Sequence, residues 1–156
     1  MSERKVITKK SSELTTIDFD SMYDILIDNL KKIFADFQEK ENDKEVWLNS
    51  IKSNDYKFIL VYDEEKLVAF LEYFIKSGKC YLAEIQISDK CKGDHKTFRT
   101  LMNELYLAVN KNLKIRCYIN KKNLKSQSVF THVGMKKVDD KYYEMDYETL
   151  ENYITN

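Results

Sequence analysis

The sequence predicts a mixed, mostly antiparallel sheet flanked by helices, α/β in class with an α+β order of elements. Three observations point there. Residues 56–88, YKFILVYDEEKLVAFLEYFIKSGKCYLAEIQIS, hold three β-rich runs separated by DEEK and KSGK, both suited to hairpin turns. Segments with apolar residues at helical spacing precede and follow that block. No proline, repeat or Gly/Ser-rich linker interrupts the 156 residues, so one domain over 1–156 is expected.

The elements follow in order. RKVIT is a short strand. From Asp20, Met22, Ile25, Leu26, Ile33, Phe34 and Phe37 fall at helical spacing, with Asp20 or Ser21 able to cap the start. DKEVWLNSIKS reads as a second helix with Val46, Trp47 and Ile51 inward. The three strands come next, and Gly78 supplies the positive φ that their second turn needs. Phe98, Leu101, Met102, Leu105, Ala108 and Val109 form the stripe of a long helix opening near Lys96. LKIRCYI is a strand. Ser126, Val129, Phe130 and Val133 make a shorter helix that stops at Gly134, the usual place for a left-handed cap. MKKV, a DDK turn and YYEMDY close with a hairpin, giving β-α-α-β-β-β-α-β-α-β-β.

Composition narrows the function classes. The formal net charge is zero, which argues against a general nucleic-acid binder. No apolar run approaches the roughly 20 residues of a membrane helix, and MSERKVITKKSSEL lacks the apolar core of a signal peptide. Cys80, Cys91 and Cys117 are odd in number and share no CxxC spacing, so reduced thiols in a cytoplasmic protein are expected. Cys91 and His95 lie four apart without a second ligand pair, so no metal is expected. The charge is segregated, however. Residues 18–45 carry nine acids against four lysines, and residues 90–125 carry ten Lys/Arg against Asp94 and Glu104.

Gly93 is one of only three glycines and stands among lysines, in ISDKCKGDHKTFRTLM. A strand, a glycine-bearing basic loop and a helix opening form the geometry of an anion site. The first helical turn has unpaired N–H groups, and glycine lets an anion approach the backbone. A plain strand–helix connection fits the same residues. The spacing matches neither a Walker loop nor a dinucleotide fingerprint.

Over nearly its full length the pattern resembles the GNAT superfamily of acyl-CoA-dependent N-acyltransferases. That family's phosphate loop reads Gln/Arg-x-x-Gly-x-Gly/Ala, and the matching positions are Lys90, Gly93 and His95. Its later motif reads Asn-x-x-Ala-x-x-Leu-Tyr-x-x-x-Gly-Phe. NLKSQSVFTHVGM places Asn123, Ser126, Val129, Phe130, Gly134 and Met135 in that register. The departures are a lysine for the bidentate arginine, a bulky His95, and Phe130 where the family has the tyrosine that protonates the leaving thiolate.

The resemblance implies an acetyl-CoA-dependent N-acetyltransferase, with acetyl-CoA as cosubstrate and no metal. The cosubstrate would be held by Ile85, Ile87, Lys90, Cys91, Lys92, Gly93, Asp94, His95, Lys96, Thr97, Asn123, Ser126 and Phe130. Ile85 and Ile87 would offer main-chain groups where the fourth strand splays from the fifth. Glu84, or Glu72 on the preceding strand, would take the proton of the attacking amine. Tyr118, Tyr142 and Tyr143 are candidate substitutes for the missing tyrosine. The acidic first two helices, with Asp20, Asp24 and Asp28, would steer a cationic small-molecule or protein amine to a monomer or homodimer. Phe130 also admits a catalytically silent acyl-CoA-binding sensor.

Overall fold

The computed structural model describes residues 4–91 and 95–156. Its strands are β1 (Arg4–Lys10), β2 (Lys57–Asp63), β3 (Lys66–Lys76), β4 (Lys79–Ile87), β5 (Lys114–Tyr118), β6 (Lys136–Lys137) and β7 (Tyr142–Met145). Its helices are α1 (Thr16–Ile33), α2 (Asp43–Lys52), α3 (Lys96–Ala108), α4 (Leu124–Val133) and α5 (Tyr147–Thr155). All seven strands join one sheet in the order β1-β2-β3-β4-β5-β7-β6. Every pairing is antiparallel except β4 with β5, whose connection passes through α3. This is the mixed, mostly antiparallel sheet that the sequence predicts, with one helix more at the C-terminus.

The strands' two-residue period sorts the core into two layers. On one face Ile59, Leu71, Leu82 and Ile115 pack under Leu101 and Leu105 of α3 and Leu150 of α5. On the other, Phe58, Leu60 and Phe70 pack under Phe19 and Met22 of α1 and Ile51 of α2. Fully burying one such side chain stabilises by about 1.5–3 kcal/mol. The two stripes therefore fix which way each helix faces.

Four expectations need correction. Helix α1 opens at Thr16, not at Asp20 or Ser21, because Thr15 and Asp18 close a reciprocal capping box. Burial alone would raise the Asp18 pKa, but Lys9, the Thr15 N–H and the Tyr62 hydroxyl hold it down at about 2. The helix stops at Ile33, before Phe34 and Phe37. Val46 is 65% exposed, since α2 turns Ile51 and, partly, Trp47 inward. The chain does not end in a hairpin: Asp146 accepts the Thr149 N–H at 2.9 Å and starts α5.

Gly134 is required by its surroundings. Its φ is +120°, and a Cβ there would meet the Thr149 side chain of α5 at 2.4 Å. The tight stop of α4 is thus also what lets α5 dock.

Candidate active site

The sheet is incomplete where β4 meets β5. They pair only from Lys79↔Lys114 to Leu82↔Cys117, whereas β4 runs on to Ile87. A bulge sits at that point. Leu82 opposes Tyr73 and Glu84 opposes Glu72, leaving Ala83 as the extra residue. Past the bulge, the Ser88 N–H donates to the Val68 carbonyl at 2.8 Å, toward β3. By the strand period, Ile85 and Ile87 turn their main-chain groups to the opposite, strandless edge.

A cleft of about 470 Å³ opens along this edge. Ile85 and Ile87 form one wall; His95 and Phe98 of the α3 entrance form another. Asn123, Lys125, Ser126, Val129 and Phe130 of α4 close the far side, and Asn29, Lys32 and Ile33 of α1 cover one end. The i, i+3, i+4 spacing of the α4 residues puts them on one helix face. Asn123 caps that helix, its Oδ1 accepting the Ser126 N–H at 3.1 Å. The size is that of a small-molecule site.

Two glutamates face each other at the bulge. Glu72 is 5% exposed, and burial, followed by the Glu84 charge, pushes its pKa up to about 8. Burial also raises Glu84, to about 6, against a lowering hydrogen bond from Gln86. Near neutral pH the pair therefore keeps one proton that two solvated carboxylates would have lost. Gln86 in turn accepts from Asn29 Nδ2 at 2.8 Å, and Asn29 also donates to the Ile87 carbonyl at 3.0 Å. A hydrogen-bonded chain thus runs from Glu84 to the cleft wall.

No family sequence model matches the chain, and no curated protein sequence is significantly similar to it. The architecture does have counterparts. PaiA N-acetyltransferase from Thermoplasma acidophilum, solved in complex with coenzyme A, matches with a TM-score of 0.70 at 20% identity, over 92% of this chain and 99% of its own. Campylobacter jejuni N-acetyltransferase PseH, in complex with acetyl coenzyme A, matches with a TM-score of 0.61 at 17% identity, over 91% and 99%. A GNAT-family acetyltransferase from Staphylococcus aureus gives 0.71 at 12% identity, over 93% and 99%. The fold is that of the GNAT acetyltransferases.

On this GNAT fold, Ile85, Ile87, Cys91, His95, Asn123, Ser126 and Phe130 come together around the cleft. Lys90 and Lys96 are exposed beside it. Thr97 is fully buried and accepts a hydrogen bond from Arg4 at 2.8 Å, so its hydroxyl ties β1 to α3. Lys92, Gly93 and Asp94 lie outside the described residues. Glu84 stands behind Gln86 on the α1 side of the sheet. Phe130 is 7% exposed and meets Phe98 edge-on.

Of the three tyrosines, Tyr118 is 58% exposed at the end of β5, Tyr142 lies edge-on to it, and Tyr143 packs into the core. Asp20, Asp24 and Asp28 are on the solvent side of α1, where Asp20 pairs with Lys44 and Asp28 with Lys32. All three cysteines are free thiols, and burial pushes Cys80 and Cys117 up to about 12. Among the described residues no cluster suited to a metal occurs, and no helix is long and apolar enough to cross a membrane.

Sequence reading missed Asn29, Lys32, Gln86, Phe98 and Lys125. The α4 residue was within reach, since Lys125 shares the helical spacing of Ser126 and Val129. Asn29 was not, because only folding brings α1 to the end of β4.

Proposed function

We propose that the chain is an acetyl-CoA-dependent N-acetyltransferase that acetylates a primary amine. The strandless edge of β4 carries this reading. A pantetheine arm has amides spaced to pair with an extended backbone, and Ile85 and Ile87 offer the main-chain groups for it. The apolar wall of Val129, Phe130 and Phe98 fits the arm's methylenes. His95 and Lys125, with the exposed Lys90 and Lys96 beside them, fit its phosphates at the start of α3.

Bound acetyl-CoA supplies an activated acyl group. The chain's residues do the rest. A main-chain N–H at the open edge is placed for the thioester oxygen, where charge develops during acyl transfer. Glu84 takes the proton that the incoming ammonium must lose, directly or through water. The proton that the Glu72–Glu84 pair retains keeps a second negative charge from forming beside the base. Phe130 has no proton to give, so the sulfur leaves as the thiolate or receives its proton elsewhere. A thiol of ordinary pKa, near 8.5, tolerates that.

Phe130 supports a second reading, a silent acyl-CoA-binding module of the same fold. Calorimetry with acetyl-CoA followed by thiol-release assays over an amine panel separates the two. For the enzyme, we expect acetyl-CoA to bind and at least one amine to turn over. The acid limb of kcat/KM should fall near pH 6, and Glu84→Gln should lower kcat about 10²–10⁴-fold without changing acetyl-CoA affinity. Binding without turnover for any amine would select the silent module. Absence of acetyl-CoA binding would defeat both.

A further inference from the structure

We propose that the acceptor is an amine carrying an aromatic ring and, at its far end, an anionic group, seated on the α1 side of the sheet across β3, β4 and β5. This rests on the acetyltransferase reading and names the substrate class for it.

The strand register sets three rows of side chains on that face. Glu72 and Glu84 oppose each other in the first. Phe74, Tyr81, Arg116 and Glu144 align in the second, and Lys76, Lys79 and Lys114 in the third. At about 3.3 Å per residue, the first and third rows lie about 13 Å apart.

The first and third rows break the ordinary rule for a solvated sheet face. Opposite charges normally meet across a strand pair, and like charges directly opposed are destabilising. Here two carboxyls that share one proton are brought together, and three lysines stand in register. Glu72 is 5% exposed, and its carboxyl makes no hydrogen bond or ion pair with any described residue. Lys79 and Lys114 lie 3.7 and 3.6 Å from Glu144, which is already bound to Arg116 at 2.6 Å. Glu144 is shared by Arg116, Lys79 and Lys114, with Asp146 also near Lys114, so Lys76, Lys79, Lys114 and Arg116 outnumber the carboxylates that meet them. The face is acidic at one end and basic at the other.

Rings fill the space between. Phe74 stacks on Tyr81 with centroids 5.0 Å apart, Tyr142 stands edge-on to Tyr81, and Tyr118 edge-on to Tyr142. Helix α1 packs over β2, β3 and β4, with no comparable packing over β5. Tyr118 (58%) and the Lys114 side chain (61%) consequently remain exposed. The acidic end is continuous with the cleft through Gln86 and Asn29. An ammonium at the carboxylates, a ring against the tyrosines and an anion at the lysines satisfy all three rows.

The test measures, by calorimetry on the acetyl-CoA-loaded protein, three primary amines: a phenyl-ring amine with a phosphate about 13 Å from the nitrogen, its dephosphorylated form, and a linear polyamine. We expect the phosphorylated ring amine to bind at least tenfold tighter than either. Lys79→Gln with Lys114→Gln should bring it within threefold of the dephosphorylated form, with acetyl-CoA affinity unchanged. Tyr118→Ala should weaken both ring amines alike. Tightest binding by the polyamine, or a phosphate preference that survives the lysine variant, overturns the proposal. Should acetyl-CoA itself fail to bind, the acetyltransferase reading falls, and the same amine titrations on the unloaded protein still decide this one.

Discussion

Glu72 is the residue whose charge state the fold controls most strongly among those at the site. Its pKa is raised from 4.5 to about 8, so the folded chain holds a proton that the unfolded chain releases between those values. Stability from this group is complete below pH 4.5 and lost as pH climbs through 8. Glu72→Gln removes the linkage. In denaturant titrations from pH 4 to 9, the variant should gain on the parent as pH rises, on the order of 5 kcal/mol by pH 9. A gap that does not widen with pH would mean that Glu72 is better solvated than its burial indicates.

Among the elements, the β2–β3 hairpin carries identifiable strain. Its two turn residues, Glu64 and Glu65, have φ of +51° and +70°, a conformation that asparagine and glycine adopt most easily. The β3–β4 turn does the same with Ser77 and Gly78, at +53° and +75°. Replacing Glu64 and Glu65 by Asn and Gly should raise stability by about 1 kcal/mol, read as a higher urea midpoint at unchanged slope. The turn lies away from the cleft, so acetyl-CoA affinity should not move. No gain would show that the glutamates compensate through contacts of their own.

At the scale of the whole molecule, the cleft is built from α1, β4, α3 and α4 together. A ligand held by all four should stabilise the fold as a unit. At acetyl-CoA a hundredfold above Kd the linkage is about 2.7 kcal/mol. For a chain of this size that corresponds to a rise in Tm of roughly 5–10 °C. Asn29→Ala should weaken the rise while leaving the unliganded Tm lower, because Asn29 anchors α1 to the Ile87 carbonyl. A Tm insensitive to acetyl-CoA would place the ligand elsewhere or nowhere.

The linear chain carries most of the element order, since strand alternation, hairpin turns and helical spacing are local signals. It also determined the likeness of Asn123, Ser126, Phe130 and Gly134 to a known motif, because those residues share one helix and its cap. Boundaries escaped it where caps compete: Thr15 with Asp18 outdid Asp20, and Asp146 started a helix in what read as the end of a hairpin. Packing in three dimensions set that β4 outruns β5, that Ala83 bulges, and that Glu72 and Glu84 stand opposed. It alone brought Asn29 to Gln86 and sent Asp20, Asp24 and Asp28 to the solvent side of α1. Those outcomes depend on register and on which helix covers which face. Register is a property of strand pairs, so neither strand's own residues contain it.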